Sequence, residues 1–216
     1  MITNKHEIIV NSRVYPIVNE LGVGKSGISY LCNNADKLVT IKKLEQFDSN
    51  YIPFEEALNV EINSYKKLIQ IGIRIPKLID YDAVNKCIVK EYISGDVLMN
   101  LIAKDKISTH IWREIFMFSK MACDLSYNLD YFPTNYIYNG KELYYIDFEV
   151  HNYSDEWNFE NWGLYYWVNN EGVKKYLETK DATNVHTPNT NYKPIINENI
   201  DEMRTKLIKQ FSLNIK

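Results

Sequence analysis

The hydrophobic pattern of the first half of the chain changes its period twice, and this change restricts the fold more than any other feature. Strand-like alternation comes first, a helical pattern follows in PFEEALNVEINSYKKLIQIG, and strand-like alternation then returns. The strand-like runs are RVYPIVNEL, GISYLCNN and KLVTIKKL before the helix, and PKLIDYD and KCIVKEYI after it. This order predicts an antiparallel sheet of five strands with one helix.

The second half of the chain has mostly helical patterns, over about 97–127 and 157–178, with a loop and a hairpin between them. The sequence therefore predicts an α+β protein with a small mixed lobe in residues 1–93 and a reduced, mostly helical lobe in residues 94–179. Residues 180–216 are predicted to form a polar linker and then a docked helix. The apolar residues at helical spacing in that helix are Ile196, Ile200, Met203 and Leu207.

Composition and charge argue against several classes of function. The 216 residues carry a net charge of −3 and a pI of about 5.9, which provides no basic field for nucleic acid. No apolar run reaches the length of a membrane span, and the N-terminal residues lack the apolar core of a signal peptide. The cysteines and histidines are scattered, without the spacing of disulfide frameworks or zinc sites. We therefore expect a cytoplasmic protein without nucleic-acid or membrane partners.

A glycine-rich stretch, LGVGKSGISYLCNN, fits three nucleotide-binding signatures at once. Its candidate phosphate-binding residues are Gly22, Gly24, Lys25, Ser26 and Gly27. A P-loop would need a glycine where the chain has Asn19, and both a P-loop and a dinucleotide-binding turn need a following helix. A strand follows instead, which favours a flexible flap whose backbone N–H groups approach the phosphates of ATP. The alternative is an ordinary hairpin turn that contains three glycines.

A lysine of the third strand run and a glutamate of the helix are predicted to pair. Lys42 stands in Val-Thr-Ile-Lys, which is close to the V-A-I-K motif. Leu58, Glu61, Tyr65 and Leu68 share one helical face, which turns the Glu61 carboxylate toward apolar neighbours. An unpaired buried carboxylate costs roughly several kcal/mol, so we expect Lys42 as its partner. The alternative for Lys42 is a solvated charge on an edge strand.

The segment NLDYFPTNYIYNGKELYYIDFE has the most specific spacing in the sequence. Asp130 and Asn135 are five positions apart, as in D-L-x-x-x-N, and Asp147 follows in Ile-Asp-Phe-Glu. An Asn139-Gly140 turn predicts a hairpin that returns Asp147 to Asn135. Two oxygen ligands there suit Mg²⁺, and Asp130 could accept the proton of an attacking hydroxyl. For any one of these residues alone, the capping of a turn is the alternative.

Together these motifs resemble the protein-kinase-like superfamily over about residues 20–165. The resemblance implies a bilobal protein-kinase-like fold that transfers phosphate from ATP in the presence of Mg²⁺. It implies that Lys42 contacts the α- and β-phosphates and that Glu61 orients it. It also implies that the backbone of Glu91 and Ile93, in IVKEYISG, hydrogen-bonds adenine; the alternative there is a plain edge strand.

Five positions depart from that family. Lys90 stands where kinases usually have an apolar gatekeeper, and Asn128-Leu129 replaces the His-Arg that precedes the catalytic aspartate. Phe132 stands where Ser/Thr kinases usually place a lysine, and Glu149 replaces the glycine of D-F-G. The segment after Glu149 is short and lacks A-P-E, so no phosphorylated activation segment is expected.

These departures leave three functions open. Glu149 is similar to the D-F-E or D-W-E of choline-kinase-like and thiamine-kinase-like enzymes, which favours a small-molecule alcohol as acceptor. The small helical lobe instead resembles minimal atypical protein kinases such as the RIO kinases, and a serine/threonine protein substrate is our first expectation. A nucleotide-binding pseudokinase is the third. An aromatic run is expected to belong to the core rather than to a cage for an ammonium ion; it contains Trp157, Trp162, Tyr166 and Trp167.

Overall fold

The computed structural model describes residues 6–45, 54–190 and 192–212. These residues form two compact units. Unit 1 contains the residues before Lys67, together with Pro76–Ile93. Unit 2 contains Lys67–Ile75, together with the residues from Ser94 onward. The chain therefore leaves unit 1 within a helix and returns to it for two strands, so neither unit is one continuous stretch of sequence.

Unit 1 is built on an antiparallel sheet of six strands in the order β1-β2-β3-β4-β6-β5. The strands are β1 (Glu7–Val10), β2 (Arg13–Gly24), β3 (Gly27–Asn34), β4 (Lys37–Leu44), β5 (Leu78–Asp82) and β6 (Cys87–Glu91). The predicted α+β class is confirmed. The prediction of five strands is wrong, because β1 adds a sixth. Strands β3 and β4 begin and end where the runs GISYLCNN and KLVTIKKL do.

Strand β1 lacks the sequence pattern of a half-buried strand. Ile8, Ile9 and Val10 are all apolar, which leaves no alternation to recognise. Asn11 and Ser12 join β1 to β2, and both have positive φ, of 47° and 66°. This conformation is typical of the two-residue turns that match the twist of paired strands. The turn thus forms from Asn-Ser, which is a weaker sequence signal than Asn-Gly.

The turn after β1 contacts the far edge of the same sheet. Asn11 donates a hydrogen bond from its backbone N–H to Asp82 Oδ2 at 2.8 Å, and one from its side chain to Tyr81 O at 3.0 Å. Both acceptors lie in β5, the edge strand opposite β1. The sheet is therefore curled, and its two edges are joined by side-chain hydrogen bonds rather than left open for another strand.

Helix α1 (Phe54–Ile71) buries one face, as the helical spacing predicts. The buried residues of this face are Leu58, Glu61, Ser64, Leu68 and Ile71. Tyr65 is half-buried, and its hydroxyl accepts a hydrogen bond from Leu78 N–H at 3.2 Å. Gly72 follows the helix with a φ of 83°, the left-handed conformation that favours glycine at a helix end. Pro53, at the start of the helical sequence pattern, lies outside the described residues.

Unit 2 combines helices with short strand pairs. Its helices are α2 (Leu98–Ala103), α3 (Thr109–Asp124), α4 (Leu164–Val168), α5 (Asn170–Thr179) and α6 (Glu198–Phe211). Its strands are β7 (Asp96–Val97), β8 (Tyr127–Leu129), β9 (Tyr136–Tyr138), β10 (Leu143–Tyr145) and β11 (Val150–Asn152). Strand β9 pairs with β10 and β7, and β8 pairs with β11. The core is rich in aromatic rings; the fully buried Trp167 contacts the rings of Tyr136 and Phe159.

Helix α6 buries only part of the face that the sequence predicts. Ile200 and Phe211 are buried, and Phe211 stacks on a phenylalanine of α3 with 5.5 Å between ring centroids. Ile196 and Met203 are 59 % and 46 % exposed, so these two of the four predicted residues are not buried. The side chain of Asn197 caps the helix by accepting a hydrogen bond from Ile200 N–H, which leaves Ile196 outside the helix.

Candidate functional site

The glycine-rich stretch forms the tip of the β2–β3 hairpin. Gly24 pairs with Gly27, so Lys25 and Ser26 are the two residues of the turn. The register of the hairpin shifts just before Gly22, where β2 is irregular. All five predicted phosphate-binding residues therefore lie on one strand–turn–strand segment of unit 1.

The three glycines of this hairpin differ in whether the fold requires a glycine at their position. Gly27 has a φ of 152°, and a Cβ there would overlap Lys43 O of β4, so the sheet itself requires a glycine. A Cβ on Gly22 would meet nothing within 4 Å, and one on Gly24 would meet only Gly27 O at 3.8 Å. The packing of unit 1 thus explains Gly27, whereas at Gly22 and Gly24 the lack of a side chain only keeps the backbone accessible.

Lys42 and Glu61 form a buried ion pair within unit 1. Lys42 Nζ and Glu61 Oε1 are 2.5 Å apart, and each side chain is only 10 % exposed. Strand β4 has a neighbour on each side, with Ser29 of β3 and Ile88 of β6 opposite Lys42. Lys42 is therefore central in the sheet, which excludes the alternative of a solvated charge on an edge strand.

The predicted adenine-binding residues lie at the end of β6. Glu91 is exposed and Ile93 is buried. Glu91 N–H donates to Lys77 O at 2.9 Å, and Glu91 Oε2 accepts from Lys77 N–H at 3.2 Å. Because Glu91 N–H is already bonded, any contact with adenine must use another backbone group of this segment. Lys90, the departure at the gatekeeper position, is buried opposite Thr40 in the register of the sheet.

Asp130 follows β8 at the start of a tight loop in unit 2. Its Oδ1 accepts a hydrogen bond from Phe132 N–H at 2.9 Å, and its N–H donates to Tyr145 Oη at 3.3 Å. The loop continues into a 3₁₀ turn over Pro133–Asn135. Asp130 therefore caps its own loop, as one of the two readings of the sequence expects, and it stays half-exposed to solvent.

The β9–β10 hairpin brings Asp147 back to Asn135. Tyr136 of β9 is paired with Tyr145 of β10, and Ile146 N–H then donates to Asn135 O at 2.9 Å. The Asn-Gly pair lies in the connection between the two strands. Asn135 and Asp147 thus stand at the same end of the hairpin. Asn135 directly precedes β9, and Asp147 directly follows Ile146, whose hydrogen bond closes the hairpin.

The carboxylates of Asp130 and Asp147 affect the pKa values of two buried tyrosines. Burial raises the pKa of Tyr136 and of Tyr145 well above the usual value, and the charges of Asp130 and Asp147 add to both increases. The same two carboxylates therefore lie near the same two rings, whose centroids are 5.1 Å apart. Unit 2 brings the sequence-predicted residues Asp130, Asn135 and Asp147 into one region.

Glu149, the departure from D-F-G, forms a hydrogen bond with a histidine next to this region. Its Oε1 is 2.9 Å from His151 Nε2. His151 of β11 lies opposite Asn128 of β8, and β8 is the strand that precedes Asp130. The hydrogen bond to Glu149 raises the pKa of His151; burial opposes this effect, and the charges of Asp130 and Asp147 reinforce it.

Phe132 packs into an aromatic cluster rather than facing open solvent. It stacks on His186 with centroids 5.7 Å apart and meets Tyr166 edge-on at 5.1 Å. Tyr166 Oη lies 2.9 Å from His186 Nδ1 and donates to Tyr192 O at 2.8 Å. A segment that is distant in sequence thus contacts the loop of Asp130, and a lysine at position 132 would bring a charge into this cluster.

Two of the four residues in the aromatic run before α5 are core residues. Tyr166 and Trp167 are buried, as expected for core residues. Trp157 and Trp162 are half-buried, and their ring centroids are 5.7 Å apart. Trp162 Nε1 donates to Tyr192 O at 2.9 Å, so its polar group is directed to the protein.

The donor groups that the sequence predicts for a metal are oxygen ligands, the kind that Mg²⁺ takes. Within residues 6–45, 54–190 and 192–212, no group of three or more His, Cys, Asp or Glu side chains is arranged to hold a metal ion. The predicted ligands are Asn135 and Asp147, which offer one amide oxygen and one carboxylate. Mg²⁺ takes few protein ligands and completes its octahedron with water and phosphate oxygens, whereas zinc needs three or four protein ligands.

Comparison with known proteins adds no assignment to this geometry. The chain matches no protein-family model, and no curated protein matches its sequence. Two contributors to the site were missed in the sequence. Tyr145 could have been found, because the alternation of β10 buries Leu143 and Tyr145 on one face beside Asp147. His186 carries no such signal, because its contact with Phe132 joins two distant segments.

Proposed function

We propose that this protein is an ATP- and Mg²⁺-dependent phosphotransferase whose acceptor is a serine or threonine hydroxyl of a protein. The observation that carries the proposal is the buried ion pair between Lys42 and Glu61. Taking two charges out of water offsets most of their attraction, so stability alone is a weak reason for such a pair. A lysine held in one position by a buried carboxylate suits the binding of phosphate oxygens.

In this proposal, unit 1 holds the nucleotide. The Lys42 ammonium contacts the α- and β-phosphate oxygens, and Glu61 fixes its direction. The flap contributes backbone N–H groups near Gly22 and Gly24, where the lack of a side chain lets a phosphate approach closely. Lys25, at the turn, adds a second positive charge on the same hairpin.

Unit 2 supplies the acid–base group and the metal ligands. As the acceptor oxygen bonds to the γ-phosphorus, the bond from that phosphorus to the β–γ bridging oxygen breaks, and Asp130 accepts the hydroxyl proton. Asn135 and Asp147 are the residues that would hold Mg²⁺. When bound, this ion neutralises charge on the phosphates. The half-exposed position of Asp130 is consistent with access for an acceptor.

A small-molecule alcohol is the second candidate acceptor. The observation that favours it is the aromatic cluster of Phe132, Tyr166 and His186. Position 132 offers an aromatic ring in place of the lysine that many Ser/Thr kinases direct at the transferring phosphate. The loop of Asp130 therefore lacks the cation of those kinases and has the half-buried Phe132 ring beside it, which suits a compact acceptor more than an extended peptide.

The test is incubation of the purified protein with [γ-³²P]ATP and Mg²⁺, with general protein acceptors or a panel of amino-alcohol, sugar and aminoglycoside acceptors. Gel autoradiography and an ADP assay are run on the same samples, with Asp147→Asn in parallel. Label on protein in the wild type alone supports the first proposal. ADP release that needs a small acceptor moves the acceptor to the second candidate. If neither label on protein nor ADP release is found while nucleotide still binds, the proposed reaction is overturned and a pseudokinase is favoured.

We also propose a cytoplasmic location. Cys32, Cys87 and Cys123 are free thiols, which fits a reducing compartment. In the part of the chain that the structure describes, no helix combines the length and the apolar character needed to cross a bilayer. Fractionation of cells that express a tagged copy tests this location, and recovery in the periplasmic or secreted fraction would contradict it.

A further inference from the structure

The Tyr145 hydroxyl connects the backbone at Asp130 with the backbone just after Asp147. It accepts a hydrogen bond from Asp130 N–H at 3.3 Å and donates one to Glu149 O at 2.8 Å. The side chain is completely buried, at 0 % exposure. One hydroxyl therefore joins the loop of the proposed base to the segment of the proposed metal ligand.

The neighbouring Tyr136 shows that burial alone does not produce such a connection. The two rings pack together with centroids 5.1 Å apart, and both are fully enclosed. The Tyr136 hydroxyl nevertheless has no hydrogen-bond partner among the described residues. Burial raises the pKa of both phenols, so each keeps its proton at neutral pH. The pair thus offers two matched hydroxyls, of which one is connected to the site.

Other contacts also hold these two segments, but at different points. Strand β8 pairs with β11, with Leu129 opposite Val150, and Ile146 N–H donates to Asn135 O. The β8–β11 pair holds the chain just before Asp130 and after Asp147. The Ile146 bond holds it just before Asp147. The Tyr145 hydroxyl acts at Asp130 itself, where the strand has ended and the loop begins.

We propose that Tyr145 is a positioning residue for phosphoryl transfer, because its hydroxyl fixes Asp130 relative to the segment of Asp147–Glu149. The proposal rests on the proposed function. Tyr145 itself is fully buried and acts only through the backbone of its partners. Since an error of about 1 Å in the position of a catalytic group can lower the rate by about 100-fold, loss of this link should affect the chemical step.

The test compares Tyr145→Phe with the matched variant Tyr136→Phe. Each change removes one buried hydroxyl and keeps the ring. With Tyr145→Phe we expect kcat to fall by about 10- to 100-fold while KM for ATP changes by less than about twofold. With Tyr136→Phe we expect both constants to stay at the wild-type values. An unchanged kcat in Tyr145→Phe, or an equal loss in both variants, would overturn the proposal.

Amide hydrogen exchange separates this inference from the proposed function. In Tyr145→Phe the Asp130 amide should exchange at least about tenfold faster, whereas the Ile146 amide, bonded to Asn135, should not change. If the wild type transfers no phosphate, the proposed function fails, but this measurement still reports whether the hydroxyl holds the loop. Unchanged exchange at Asp130 would show that it does not.

A conservative variant covers the case in which Tyr145→Phe does not fold. Tyr145→4-aminophenylalanine keeps the ring and a donor toward Glu149 O, but its nitrogen is a poor acceptor for Asp130 N–H. We expect it to fold as the wild type does and to lose kcat together with the slow exchange of the Asp130 amide, because only the bond to Asp130 is broken. Loss of kcat with Asp130 still protected would contradict the positioning role.

Discussion

Unit 1 and unit 2 hold their charged candidate residues in different ways. In unit 1, Lys42 and Glu61 lie on regular elements and neutralise each other in the interior. In unit 2, Asp130 and Asp147 lie in turns beyond strand ends, are half-exposed, and are fixed by local hydrogen bonds. Changes in unit 1 should therefore affect stability and activity together, whereas changes in unit 2 should affect activity almost alone.

The largest effect is expected from Asp130→Asn. The amide keeps an oxygen that can accept the hydrogen bond of Phe132 N–H, so the loop is preserved, but it cannot accept a proton. We expect kcat to fall by about 10²- to 10⁴-fold, with nucleotide affinity retained. Steady-state kinetics and calorimetric titration with ATP measure the two quantities.

Asp181→Asn is the matched control for that change. Asp181 also accepts a hydrogen bond from the N–H group two residues later, from Thr183 at 2.9 Å, but it caps an exposed turn. Its substitution should leave kcat unchanged. A similar loss of activity in both variants would mean that turn capping, rather than proton transfer, explains the effect at Asp130.

Lys42→Met tests the prediction that stability and activity are linked in unit 1. The change removes the Lys42 cation from Glu61, and the breaking of such a pair in a protein interior costs about 3–5 kcal/mol of unfolding free energy. The double variant Lys42→Met/Glu61→Leu should regain most of that stability, because two apolar side chains can replace a buried pair. It should remain inactive. Urea unfolding and the ADP assay measure both properties, and an active double variant would refute the role of Lys42.

Lys43→Met is the control on the same strand. Lys43 pairs with Glu45 at 3.1 Å, but the two side chains are 43 % and 34 % exposed. Solvent screens such a pair, so the loss should be below about 1 kcal/mol and should leave the activity unchanged.

The hairpin glycines allow a smaller test within unit 1. Gly27→Ala should lower the unfolding free energy by about 1–3 kcal/mol, because its Cβ would overlap Lys43 O and φ is positive. Gly22→Ala should change stability by less than about 0.5 kcal/mol, since nothing lies within 4 Å of its Cβ. If Gly22→Ala raises KM for ATP without loss of stability, the flap assignment is strengthened; unchanged kinetics would favour an ordinary hairpin.

The smallest expected effect is a pH dependence from His151. The pKa of His151 is raised by Glu149, so the stabilisation is complete below pH 6.5, the usual pKa, and is lost as the pH rises through the higher folded-state pKa. His151 is 53 % exposed, so screening limits the effect to about a few tenths of a kcal/mol. Unfolding free energies at pH 6 and pH 8 measure it. The difference should disappear in Glu149→Gln and persist in Glu156→Gln, whose partner is Lys193.

Several elements follow from sequence because their signals are local. Strands β3 and β4 match their predicted runs, and the Asn-Gly hairpin forms where it is expected. The buried position of Glu61 follows from helical spacing, and a buried carboxylate requires a nearby cation, which the structure supplies in Lys42. By contrast, β1 has no alternation, and the cap at Asn197 leaves Ile196 outside α6, so the helical spacing does not predict the exposure of Ile196.

The sequence by itself determined which residues could carry charge chemistry and on which elements they stand, because side-chain period and turn residues act over a few positions. Only the tertiary structure decided which distant residues meet. The curl that joins Asn11 to Asp82, the stacking of His186 on Phe132 and the link from Tyr145 to Asp130 are of this kind. Such contacts depend on how whole elements pack, and packing depends on the shape and volume of many side chains together.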